Sequence, residues 1–178
     1  MMSRNERRAI AGTYGPIEKK LDDLDWNWFG TMFGQGDFKN LVNESPDGLS
    51  KALDHVTLDG DVTEEQFRAF ANDFDAAFKG KAHKGRIATA SRLLAMKRPD
   101  LFAAVNEANR RGICAAFGVA SSTLNLKNYW ERIVVPTQLS PWWQHPRPRN
   151  ALNARIWDNR AALLDCIYYH PNAKKSEN

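Results

Sequence analysis

The residues of this chain best suited to chemistry stand close together toward its C-terminal end. Trp142 and Trp143 are followed by His145, and Arg147 and Arg149 flank Pro148. A guanidinium forks onto phosphate through paired N–H donors, and an indole offers a flat face to an unstacked base. On a proline-stiffened loop the two describe a groove for phosphates and bases. Other basic residues are grouped as well. Lys81, Lys84, Arg86 and Arg92 precede Lys97-Arg98 and Arg110-Arg111, and Arg155 and Arg160 follow the loop. The candidate nucleic-acid-binding set is Lys84, Arg86, Arg92, Lys97, Arg98, Arg110, Arg111, Trp142, Trp143, His145, Arg147, Arg149 and Arg155. The same residues also fit a structural use, with the tryptophans locking the loop onto the core and the arginines pairing with acids of the first half.

Charge distribution sets the partner class. Residues 1–80 hold nine Lys/Arg against fifteen Asp/Glu, a net of −6. Residues 81–178 hold sixteen against six, a net of +10, and the two halves make up the overall +4. Such asymmetry points at a polyanion, with nucleic acid ahead of a membrane surface and DNA ahead of RNA. Arginine outnumbers lysine ten to six in the basic half, which suits phosphate better than the reverse.

Other chemistries lack their patterns. His55, His83, His145 and His170 form neither HxxxH nor HExxH, so no metal site is expected. Asp22, Asp23 and Asp25 spread over more than one helical face, and Asp59-Gly60-Asp61 reads as a turn with a capping acid. No GxSxG, Walker A or GxGxxG occurs, and no strand is available to carry a nuclease's acids and lysine. No catalytic residue and no cofactor is therefore nominated. Cys114 and Cys166 lack CxxC spacing and read as two buried, reduced thiols of a cytoplasmic protein. No run of about eighteen apolar residues is present, and the stretch Ala9-Ile10-Ala11 is too short for a secretory segment.

The run Arg86-Ile-Ala-Thr-Ala-Ser-Arg-Leu-Leu-Ala-Met-Lys-Arg-Pro-Asp-Leu-Phe102, with Val105-Asn106 after it, resembles a segment of the helix-hairpin-helix glycosylase superfamily. There a helix ends in a Pro-Asp turn, and an apolar residue then precedes an acid that opens the next helix. The resemblance spans residues 86–118. Asn106 stands where the acid would be, and there is no Gly-rich hairpin to grip a phosphate backbone. The resemblance implies a helical, DNA-facing fold rather than a glycosylase activity.

The elements that must position these residues read as helices almost throughout. Ile17, Leu21, Leu24, Trp28 and Met32 recur at helical spacing over residues 17–33. Ser45-Pro46-Asp47 signals a helix start, and that helix ends near Val56. Thr63 and Gln66 form a capping box ahead of Phe67, Phe70, Phe74 and Phe78, a stripe expected to face a core. Gly80 and Gly85 bracket the basic linker where the charge changes sign. A helix over residues 86–97 stops at Pro99, and one capped by Asn106 runs to Phe117 and ends at Gly118. Leu126, Tyr129, Trp130 and Ile133 mark a helix that stops before Pro136. Residues 140–149 read as an extended loop, and a last helix over residues 150–169 carries Leu152, Ile156, Leu163, Leu164 and Ile167. Residues 1–8 and 172–178 are expected to be disordered.

These readings add up to an all-α protein of about six to seven helices. It has an acidic N-terminal part over residues 1–80 and a basic C-terminal part over residues 81–178, possible in one continuous domain. The functional expectation is a nucleic-acid-binding protein or accessory subunit of bacterial or phage DNA metabolism or defence. The alternative is a protein–protein module whose acidic half docks a partner or mimics DNA. An enzyme acting on nucleic acid is a third, weaker reading.

Overall fold

The computed structural model describes residues 3–13 and 36–170, and every regular element among them is helical. The expected helix over residues 17–33 lies outside the described residues. The chain divides into two units, Met1–Gly85 and Arg86–Asn178.

The first unit contains α1 (Arg4–Ile10), α2 (Asp37–Glu44), α3 (Asp47–Asp54) and α4 (Glu64–Ala77). Disorder expected over residues 1–8 gives way to α1, because Ser3 and Glu6 close a capping box at its start. The sequence reading named no helix at α2, yet Phe38, Leu41 and Val42 bury one face at i, i+3 and i+4. At α3 the cap position falls on Pro46 rather than Ser45, and no side chain caps it. The Thr63–Gln66 box forms as expected, with Thr63 N–H donating to Gln66 Oε1 at 2.8 Å. Phe67, Phe70, Phe74 and Phe78 are all buried along one face of α4, neighbouring rings 5.1–6.3 Å apart. On the other contact between these helices, Asp73 of α4 takes hydrogen bonds from His55 at 2.8 Å and Lys51 at 3.2 Å, both presented by α3 and its cap. Those partners hold the Asp73 carboxyl below its ordinary value. Gly85 closes the unit because a Cβ there would overlap the Phe74 and Phe78 rings.

The second unit is built on α5 (Ile87–Lys97), which buries eight of its residues and so lies inside rather than on the surface. The run Leu101-Phe102-Ala103-Ala104-Val105 behind it is buried throughout, and Tyr129 donates its hydroxyl to Ala103 O at 2.7 Å. Then follow α6 (Arg110–Ala116), 3₁₀ turns at Ser121–Thr123 and Leu126–Asn128, and a π-helical turn at Trp130–Val134. The unit continues through α7 (Val135–Leu139), α8 (Pro141–Gln144), α9 (Ala151–Asp158) and α10 (Leu164–Tyr168).

Several boundaries differ from expectation for physical reasons. The N-cap of α6 is Asn109, because Asn106 uses its side-chain oxygen on Ala108 N–H (2.8 Å) and Asn109 N–H (3.2 Å) in the preceding turn. The end at Gly118 holds, with φ +65° in the left-handed region that terminates a helix. Pro136 does not stop the helix before it. The wider π turn immediately upstream passes directly into α7, with Pro136 in the first turn of that helix. Residues 140–149 are not fully extended, since Pro141–Gln144 close one helical turn. The expected last helix is broken between α9 and α10, where Ala161 and Ala162 both donate their N–H to Pro99 O, at 3.1 and 2.9 Å. Cys114 is buried, but Cys166 is exposed.

Candidate functional site

The segment holding the nominated tryptophans is fixed by three side chains that meet in a stack. Arg160 lays its guanidinium between the Trp143 and Trp157 rings, 4.3 Å and 3.7 Å from their centroids. Burial pulls that guanidinium below its ordinary value, opposed by Asp100 and Asp158. Trp143 Nε1–H donates to Asp100 O at 2.9 Å, and Trp157 Nε1–H donates to His145 O at 2.6 Å. Arg147 forks onto Asp158, both bonds 2.7 Å, which raises the arginine and lowers the aspartate from their ordinary values. These contacts tie α8, the turn over residues 145–149, α9 and the Pro99–Asp100 turn into one piece of surface.

The nominated residues then sort by exposure. Arg92 and Arg98 are only 3% and 5% exposed, so they leave the candidate interface. Their helix is the central one, and Arg98 forks onto Asp100 at 2.9 and 2.8 Å. Arg110 is half-buried and donates to Ser121 O at 2.7 Å and to Leu124 O, which makes it a brace for the chain after α6. Lys97 is half-buried, while Arg86 and Arg111 are exposed at helix starts away from the tryptophan segment in sequence. Lys84 belongs to the first unit. There it lines, with Lys79, Lys81 and Asp75, a shallow cleft of about 470 Å³ at the end of α4. Trp143 is half-buried and structural, as the locking alternative has it. Trp142, by contrast, stays 44% exposed, and His145, Arg147, Arg149 and Arg155 are exposed.

The site is therefore smaller than the sequence set: Trp142, His145, Arg147, Arg149 and Arg155, held by Trp143, Trp157, Asp158, Asp100 and Arg160. Of the holding group, the sequence set contains Trp143 alone; one sequence signal does mark the stretch that carries the exposed residues. Residues 132–157 contain no Asp or Glu, an acid-free run of 26 residues between Glu131 and Asp158. The outer side of α9 also carries exposed apolar residues. Ala154 is buried and Trp157 half-buried on its inner side, so Leu152 and Ile156 fall on the opposite side, 66% and 50% exposed.

Among the described residues no three His, Cys, Asp or Glu side chains converge as a metal ion would need, and no helix is long and apolar enough to cross a membrane. Comparison with family models, curated proteins and solved structures returned no match to this chain.

Proposed function

We propose that the second unit binds nucleic acid through the face formed by α8, the turn over residues 145–149 and α9, with DNA the first substrate to test. The observation that carries this reading is the acid-free run: exposed Arg149 and Arg155 stand on a braced segment that contains no Asp or Glu, and the neighbouring Asp158 is already held by Arg147. Phosphate contacts of this kind release counterions, so affinity falls as salt rises. The double variant Arg149→Ala/Arg155→Ala should weaken binding at low salt and lower the slope of log K against log salt by about two. Arg147→Ala should change that slope less, because Arg147 starts out ion-paired. A salt titration of labelled DNA by mobility shift measures this. Unchanged mobility at low salt and micromolar protein overturns the proposal.

The exposed Leu152–Ile156 pair favours a second reading, a protein-interaction module, since buried apolar contacts anchor protein interfaces. On that reading a partner stays bound after nuclease treatment and is released by changing Leu152 and Ile156 rather than the arginines.

A further inference from the structure

We propose that this face selects unpaired over duplex nucleic acid, with Trp142 as the platform on which a base stacks. The proposal rests on the nucleic-acid reading above and gives it a substrate class.

Two adjacent tryptophans have opposite roles. Trp143 turns inward, its ring against Arg160 and its N–H on Asp100 O. Trp142, one residue earlier, remains 44% exposed. Its backbone is nevertheless fixed before any ligand arrives. Pro141 opens the helical turn, Trp143 N–H donates to Ser140 O at 3.0 Å, and Ser140 Oγ donates to Pro136 O at 2.8 Å. Gln144 Nε2 adds a bond to Gln138 O at 3.2 Å. A large aromatic held outward on a braced turn loses little conformational freedom on contact, so stacking on it is not offset by ordering.

Arginine contacts to phosphate do not separate single strand from duplex, because both present the same backbone charge. Base stacking does. In a duplex the base faces are closed to a side chain, whereas a single strand offers one at every nucleotide. Arg149 and Arg155 then supply phosphate contacts around the platform. Trp157 Nε1–H on His145 O and Arg147 on Asp158 fasten the turn that carries Arg149 to α9, which carries Arg155.

The test uses the full chain and fluorescence anisotropy, with an oligodeoxythymidylate of roughly 16 nucleotides, the upper site size of one single-strand module, and a blunt-ended, loop-free duplex of matched phosphate count at equal salt. The single strand should bind about tenfold tighter or better. Trp142→Ala should remove roughly tenfold of that affinity, the loss of one stacked base, with the salt slope and duplex binding unchanged. Trp142→Phe should keep most of the preference and so guards against misfolding of the alanine variant. Equal affinity for the two probes, or an equal loss on both from Trp142→Ala, overturns the inference and leaves a phosphate-binding face standing. Binding to neither probe removes the nucleic-acid reading and this inference together. Displacement of the oligonucleotide by polyglutamate at equal charge concentration also overturns it, in favour of an acidic protein.

Discussion

The Asn109 side chain makes three hydrogen bonds from a position with no solvent exposure. It donates to Ala104 O at 2.7 Å and to the Asp165 carboxylate, and its oxygen accepts Asn106 N–H at 2.8 Å. Truncation would leave Ala104 O and Asn106 N–H without this partner and the Asp165 carboxylate with the Asn106 Nδ2–H bond (3.0 Å), so Asn109→Ala should cost about 2–4 kcal/mol of stability, read by chemical denaturation. Burial raises the Asp165 carboxyl above its ordinary value, against the pull of Asn109, Asn106 and Arg92. The folded protein thus holds that proton more tightly than the unfolded chain. This group's contribution to stability therefore falls as pH rises from its ordinary 3.8 through the raised folded value. Asn109→Asp adds a second carboxylate in the same place and steepens that fall. The gap between this variant and the parent should be larger near neutral pH than at about pH 4, close to the ordinary Asp value. A gap independent of pH would count against this account. Asp73 and Asp158, whose carboxyls are lowered by His55 and Arg147, act in the opposite sense, and their contributions fade as pH falls.

At the scale of elements, the Arg160 stack decides the shape of the candidate face, and it can be taken apart. Arg160→Ala should cost about 1–2 kcal/mol, the range of a cation–π contact partly out of water. It should also speed exchange of the Trp143 and Trp157 indole protons, whereas Arg160→Lys should preserve part of their protection. Unchanged indole exchange in the alanine variant would show that the turn is braced without the Arg160 stack. Sequence reading succeeded here where local chemistry decides the outcome. The Thr63–Gln66 box, the phenylalanine stripe, the stop at Pro99 and the end at Gly118 follow from spacing and side-chain reach. It failed where distant groups decide. Pro99 O captures the N–H groups of Ala161 and Ala162 and breaks a pattern that is helical by periodicity, and Leu152 and Ile156 turn outward as a result of which side of α9 meets the unit. Burial of Arg92 and Arg98 was equally hidden, because a basic helix reads as surface until its surroundings are known.

For the whole molecule, the change of charge sign and the division into units fall in the same stretch. Lys79, Lys81 and Lys84 are exposed there, beside Gly80 in a left-handed conformation. Among the described residues, the first tryptic cuts should come after these lysines rather than after Arg149 in the braced turn, as mass spectrometry of a time course would show. Early cleavage at Arg149 would mean that the turn opens readily. One small part of the fold ties the second unit together. Pro99 and Asp100 accept backbone and indole protons from residues 161, 162 and 143, and Asp100 clasps the neighbouring Arg98, so two stretches distant in sequence converge on two positions. Variation at the surface arginines can drift one residue at a time, each change local in its effect. A change that moves the backbone of Pro99 or Asp100 is inherited by α8 and by the break after α9 at once, because the carbonyl oxygens there hold both.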